Sequence, residues 1–392
     1  MDVNKIKRSK RSMLKGTLRK NGFDRWRLVM NGFSEATGEE CTFFIEFYIV
    51  NPLISPSECV LGFKSRMRAT TADLQAALAG TESEKSLLSE ALVQPSFAMV
   101  KVGCLSKEGK QLNSFYPCAS VRLDAPDYLI RMGSSDANTC ILTDTSTLGS
   151  VTVTRSDLIE RPELMCNAGT LSWNLHYTVE GSFFPNYNDK NCHWSCFGAH
   201  TSFSGTIIMD GEKFNVSAKT SYGYFDKNWG RSFAAPFLHL SSCNLTSNIS
   251  GKKLMNSCFA VQGEYNKRLS ILTSFEGVVK EFHAGSHRKF DVHYECTEMP
   301  PDDDGVKLHW SVSMNDRKNL VDIDICCPTE SMFVRDYECP EGARRVMKVL
   351  GGGCGVGELK FYHRIKKNLE LIEDVHVANC LCEFGNIELP EL

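Results

Sequence analysis

A mainly β fold, built as a barrel or sandwich, is what this sequence predicts, and three observations carry the expectation. Short runs rich in aromatic and β-branched residues recur along the chain, breakers punctuate them, and Met209-Asp210-Gly211-Glu212 holds the Asp-Gly pair that favours a tight hairpin. The clearest run, Thr42-Phe43-Phe44-Ile45-Glu46-Phe47-Tyr48-Ile49-Val50, stops at Asn51-Pro52. Similar strands are expected at 171–177, 203–209, 213–219, 269–274, 307–312 and 320–325. Helix is the exception. Residues 71–79 and 82–93 carry Ala, Leu, Glu and Lys, with Thr81 and Glu84 placed as a capping box and Pro95 as a stop, so a helical excursion is expected over 71–94. A second short helix is expected from Pro340 to Val349.

Bulk properties exclude some classes of function. The 392 residues are 42% hydrophobic and 23% charged, enough apolar material for two folded cores. A net charge of −3 argues against a protein that coats nucleic acid. The basic opening, Lys5-Ile6-Lys7-Arg8-Ser9-Lys10-Arg11, reads as a solvated terminus or as a transient contact with an anionic membrane surface. No apolar run of secretory or membrane-spanning length is present, and the seventeen cysteines read as reduced thiols of a cytoplasmic protein, used as small core residues.

Tyr222-Gly223-Tyr224-Phe225-Asp226-Lys227-Asn228-Trp229-Gly230-Arg231 is the chemically unusual stretch. As a strand it sends Tyr222, Tyr224, Asp226 and Asn228 to one face and Phe225, Lys227 and Trp229 to the other. The polar face is either solvated or turned into a ligand cavity. In a cavity, desolvation would raise the pKa of Asp226 and make it a proton donor, whereas a salt bridge to Arg231 would hold it ionised. Cys192-His193-Trp194-Ser195-Cys196-Phe197-Gly198-Ala199-His200 puts thiols and imidazoles close together without the ligand spacing of a structural zinc site, so no metal is expected. Trp194 and His200 are better read as pocket residues, with neighbouring strands bringing His200 toward Asp226. Gly351-Gly352-Gly353-Cys354-Gly355-Val356-Gly357 lacks the Gly-Lys-Ser/Thr ending of a phosphate loop and reads as a flexible turn.

Tyr224-Phe225-Asp226-Lys227-Asn228-Trp229-Gly230 resembles the Tyr-x-Asp-x-Asn-Trp-Gly signature of the tocopherol cyclase, carotenoid 1,2-hydratase (hydroxyneurosporene synthase) and AttH-like family. Weaker likenesses extend over most of the chain, at Gly22-Phe23-Asp24-Arg25-Trp26, at Phe203-Ser204-Gly205-Thr206-Ile207 with Asp210-Gly211, and at Asn379-Cys380-Leu381-Cys382-Glu383-Phe384-Gly385. The resemblance implies a pair of lipocalin-like antiparallel β-barrel domains, 1–235 and 236–392, with an apolar cavity near their junction. It also implies acid catalysis on an isoprenoid double bond by Asp226 with Tyr224 beside it. Phe225 and Lys227 stand where the hydratases tend to have histidines, which removes proton-relay partners.

The functional expectation is therefore a cofactor-independent cyclase or hydratase that protonates an isoprenoid or polyene. Asp226, Tyr224 and His200 would carry the chemistry, with Trp194, Tyr222, Asn228 and Trp229 lining the substrate site. The rival is a carrier of a lipid or other hydrophobic small molecule with no chemistry, and a third reading fills the interior with side chains.

Overall fold

The computed structural model of the chain describes residues 8–388 apart from 62–74, 76–78, 81–93, 107, 135–138, 184–190, 265–267, 285–290, 304 and 343–344. Two antiparallel sheets follow one another in sequence. The first holds β1 (Phe23–Ser34), β2 (Glu40–Val50), β3 (Phe97–Leu105), β4 (Lys110–Tyr116), β5 (Val121–Leu123), β6 (Ile130–Met132), β7 (Cys140–Leu142), β8 (Ser146–Val153), β9 (Gly169–Phe183), β10 (Cys192–Met209), β11 (Glu212–Val216) and β12 (Gly223–Gly230). The second holds β13 (Phe237–Ser242), β14 (Asn244–Ser247), β15 (Cys258–Glu264), β16 (Arg268–Phe275), β17 (Val278–Ala284), β18 (Asp291–Glu298), β19 (Lys307–Asn315), β20 (Asn319–Pro328), β21 (Met332–Glu338), β22 (Val346–Ile365) and β23 (Asn368–Glu388). One sheet closes into a barrel and the other forms half of one. The mainly β expectation holds, and every strand expected from the sequence overlaps an observed one, although that expected at 213–219 ends early, at Val216.

Local chemistry explains much of this. At the hairpin between β10 and β11, Met209 pairs with Glu212 while Asp210 and Gly211 both take positive φ, the backbone that matches the right-handed twist of the flanking strands. Three apolar clusters then organise the molecule. One lies inside the first sheet, around Trp26, Phe47, Trp173 and Phe225. Another lies inside the second, around Phe259, Trp310, Ile323 and Val377. The third joins the two sheets, with Phe23, Tyr48, Trp194 and Tyr224 packed against Phe237, Cys258, Tyr337 and Leu381.

Several expectations need correction. The helical excursion at 71–94 falls almost entirely outside the described residues. No helix spans Pro340–Val349, because Val346 already begins β22, where it pairs with Glu388 and Glu338. The glycine-rich segment is likewise strand, not turn, and its glycines admit close neighbours. A Cβ on Gly352 would meet the Cys327 sulfur at 2.6 Å, one on Gly353 would meet Thr42 of the first sheet at 2.4 Å, and one on Gly355 would meet the Cys382 sulfur at 2.4 Å. The basic opening is not wholly solvated either. Lys10 is buried, its carbonyl accepts from Trp26 Nε1, and Arg11 approaches Asp124.

Gly353 sets how closely β22 approaches the first sheet. A Gly353→Val substitution should therefore cost about 1–3 kcal/mol of stability through overpacking against Thr42. Urea unfolding of the variant beside the parent measures it.

Candidate functional site

Strand register writes a row of charges across the first sheet. Lys101 on β3 sits opposite Glu46 on β2, Glu46 opposite Arg27 on β1, and Arg27 opposite Asp226 on β12. Directly opposed residues on antiparallel strands share a face, so these four side chains line up with alternating sign. A matching polar row crosses the second sheet, where Glu383 on β23, His239 on β13, Gln262 on β15 and Ser270 on β16 are successive cross-strand neighbours. The two rows meet at the junction. Arg27 donates through Nε and Nη2 to both oxygens of Asp226, at 3.1 and 2.7 Å, and through Nη1 to Glu383. Arg335 on β21 pairs with Glu383 as well and reaches Glu46 at 3.1 Å. The result is a buried relay of charges in the order Asp226, Arg27, Glu383, Arg335, Glu46, each 0–1% exposed.

Aromatic donors complete the cage around Asp226. Trp194 Nε1 donates at 3.0 Å and the Tyr224 hydroxyl at 2.8 Å, both to Oδ2. Arg27 lies over the Tyr224 ring, and Tyr337 donates to Glu46 at 2.9 Å. Burial is the largest single influence on Asp226 and pushes its pKa up, but the Arg27 charge and hydrogen bonds, with help from His239 and Arg25, leave it below the ordinary value. Burial also pushes up Glu383, and Arg27 and Arg335 outweigh it in the same way. Asp226 is thus an ionised counter-ion. This corrects the expectation of a proton donor with a raised pKa, and it corrects the partner too: Arg231 is turned to Thr17, and the guanidinium at Asp226 is that of Arg27.

The other expected site residues divide. Asp226, Tyr224 and Trp194 do come together. Asn228 lies one pair further along the same face and accepts from Arg25 at 2.8 Å. Tyr222 lines a small cleft of about 20 Å³ beside Tyr224, with Asn31, Thr42, Ser241 and Gly353, a volume that admits a single water. Trp229 stacks on His193 on the other face of the strand, where Lys227 forms a second buried ion pair with Asp24 at 3.0 Å. His200 is not among the partners of Asp226. It faces Glu180 at 3.7 Å across a separate cavity of about 280 Å³, also lined by Cys258, Leu272, Ser274 and Glu276. Among the described residues, no group of three or more His, Cys, Asp or Glu is placed to hold a metal ion.

His239 was missed in the sequence, along with Arg25, Arg27, Glu46, Arg335 and Glu383. Its ring lies edge-on to Tyr224 and Trp194, with centroids 5.0 and 6.2 Å away. Burial, then the Arg27 charge, pushes its pKa down to about 3, so the imidazole is neutral. Nε2 bonds Ser241 at 3.0 Å, whereas Nδ1 has no partner, and neither amide atom of the buried Gln262 beside it has one. Orphaned buried polar atoms are uncommon and mark places where a water or ligand belongs. The same face of β15 and β16 runs on from Gln262 and Ser270 to Cys258 and Leu272, and so into the 280 Å³ cavity.

Comparison with known proteins adds little. No family model matches the sequence, and no curated protein is recognisably similar to it. Two solved structures are similar in outline. An AttH candidate of Nitrosomonas europaea, NE1406, has 9% identity and a TM-score of 0.40 over 91% of this chain and 92% of that one. Kievitone hydratase of Nectria haematococca has 9% identity and a TM-score of 0.35 over 92% and 88%. Likeness at that level assigns this chain to no family.

Two outcomes follow from the buried charges. Arg27→Met leaves Asp226 without its guanidinium in a dry junction and should cost about 3–5 kcal/mol, while Arg27→Met combined with Asp226→Leu should cost less than the sum of the single changes. A double-mutant cycle by chemical denaturation tests this. The second outcome concerns acid. The unfolded chain protonates His239 near its ordinary 6.5 but the folded chain only near 3, so that contribution is complete above 6.5 and is lost as pH falls through the window. Asp226 and Glu383, with depressed pKa values, lose theirs below their ordinary 3.8 and 4.5. Asp24, whose pKa burial raises to about 6, acts oppositely between 3.8 and 6. Stability should therefore decline on acidification, gently at first and steeply below about pH 4, and His239→Gln should remove much of the decline above pH 4.5.

Proposed function

We propose that the junction of the two sheets is a small-molecule site, and that the protein performs a hydratase- or cyclase-type reaction there on an unsaturated apolar substrate such as an isoprenoid or polyene. The observation that carries this reading is the pair of orphaned polar groups, His239 Nδ1 and the Gln262 amide, on the face that leads into the 280 Å³ cavity. In this proposal the apolar body of the substrate lies along Cys258 and Leu272, and its polar or reacting end reaches His239 and Gln262.

The roles differ from those the motif suggested. Neutral His239 is the base that takes a proton from a water or substrate hydroxyl as its oxygen bonds one alkene carbon, and the imidazolium so formed gives that proton to the other alkene carbon, which receives the electron pair of the broken double bond. The ionised Asp226 stabilises the positive charge that appears on His239 between these two proton transfers, helped by the faces of Tyr224 and Trp194. His200 and Glu180 line the same cavity, where they orient the other end of the molecule.

A specific observation favours a second reading, a carrier with no chemistry. Asp226 is already satisfied by Arg27, Tyr224 and Trp194, and the cleft immediately beside Tyr224 admits only a water. The test is mass spectrometry of organic-solvent extracts from the parent, His239→Gln and His200→Ala proteins. On the catalytic reading His239→Gln holds an unsaturated molecule that the parent releases as its hydrated or cyclised product, and His200→Ala holds less of it. The same molecule in all three extracts supports the carrier and rejects chemistry at His239.

A further inference from the structure

Five cysteines gather at one end of the second sheet, on three adjacent strands: Cys326 and Cys327 on β20, Cys354 on β22, and Cys380 and Cys382 on β23. Two of them differ from the rest in placement. The Cys327 sulfur is buried and lies 3.9 Å from that of Cys354, which is the one exposed cysteine of the group. The regular pairing of β22 with β23 is interrupted between Gly352 and Gly355 and again before Gly357, so Cys354 sits in an irregular stretch of strand whose backbone is relieved of side-chain crowding by glycine on both sides. Gly352 is required for this arrangement, because any Cβ there would meet the Cys327 sulfur at 2.6 Å. The glycine-rich motif therefore makes room for sulfur.

We propose that Cys327 and Cys354 form a redox-active dithiol, a site of reversible oxidation to an intramolecular disulfide by a small-molecule disulfide such as oxidised glutathione. The sulfurs need to close from 3.9 Å to about 2.05 Å, a movement within reach of side-chain rotation across adjacent strands. Hydrogen bonding from Cys354, and then from Cys382, draws the Cys327 thiol below the ordinary value, which supplies a thiolate inside the pair. In the first step the exposed Cys354 passes its proton to the Cys327 thiolate beside it and attacks the reagent disulfide, forming a mixed disulfide on Cys354 and expelling one glutathione thiolate, which takes up that proton and restores the Cys327 thiolate. In the second, the Cys327 thiolate attacks Cys354 Sγ and expels the other. The two protons of the dithiol pass to the two glutathiones, and the two electrons lost by the pair reduce the reagent.

The bond would tie β20 to β22 beside Gly353, the residue that abuts Thr42 of the first sheet and lines the small cleft next to Tyr224. Oxidation at this place would stiffen a segment of the second sheet that packs directly on the first.

The experiment equilibrates the full-length reduced protein in glutathione buffers of increasing oxidised fraction. Samples are quenched with acid, free thiols are alkylated, and peptides are mapped by mass spectrometry. The expected result is a crosslinked peptide pair containing Cys327 and Cys354, with the loss of two hydrogens, reversed by excess reduced glutathione. Cys327→Ser should halt the reaction at a glutathione adduct on Cys354, and Cys354→Ser should abolish both species. Were Cys327→Ser not to fold, the map of the parent decides alone. A parent that stops at the adduct, stays fully reduced, or joins Cys327 to Cys382 instead overturns the proposal.

Discussion

The Arg27 guanidinium holds Asp226 of its own sheet and Glu383 of the other in one planar fork, and the juxtaposition of the two sheets depends on it. A buried guanidinium cannot shed its charge, so each of its carboxylate partners must be held in place, and each is held by strand register. A slip of one residue between β1 and β12 would turn Arg27 to the opposite face, into the apolar interior of the first sheet, leave Asp226 an unpaired buried anion and strip Glu383 of one of its two guanidinium partners. That penalty, several kcal/mol per ion, gives the charge relay its value as a device that selects one register and one docking of the sheets. Its contribution to net stability is a separate and smaller matter, since the desolvation of five charged groups offsets most of their mutual attraction.

Legibility in the sequence followed the range of the interactions involved. Strands were readable because alternation and turn chemistry are local: Asp210-Gly211 dictates its hairpin whatever lies elsewhere, and Thr42 to Val50 is strand by composition alone. Asp226, Tyr224 and Trp194 could be brought together because Tyr224 and Asp226 alternate on one strand and the next strand back carries Trp194. What escaped was everything that depends on pairing between distant segments. Arg27 and Glu383 are separated by 356 positions, and Arg335 and Glu46 by 289. A signal did exist, for Glu46 stands alone among aromatic and β-branched residues, and a lone carboxylate in a strand buried on both faces requires a cation opposite it. Arg25 and Arg27 in the opening strand supply cations of that kind, but the sequence has no means of saying which arginine meets which acid.

His200 shows the same limit from the other side. Adjacent strands do bring its backbone near that of Asp226, but irregularities in β10 between Ser195 and Thr201 shift the register, and the side chain turns to Glu180. The histidine that does approach Asp226 comes from the second sheet, where His239 is cross-strand to Glu383. The glycine-rich segment was misread for a related reason. Glycine in a strand reads locally as a turn, and its actual role, admitting Thr42 and two sulfurs, appears only once neighbouring strands are in place.

Charge placement also decides what chemistry the junction can support. A carboxylate that accepts from a guanidinium, an indole and a phenol is a poor acid, because donating a proton would first require it to gain one against all three donors. The same carboxylate is well suited to stabilise a cation formed nearby, since its orientation is already fixed and the dry surroundings leave its field unscreened. Beside it stands an imidazole kept neutral by burial and by the Arg27 charge, with a free ring nitrogen. An ionised acid from one sheet and a neutral base from the other thus feel each other's charge at the junction, each in the charge state that its surroundings favour. The interaction that docks the two sheets is in this way the one that sets the protonation states available at their junction.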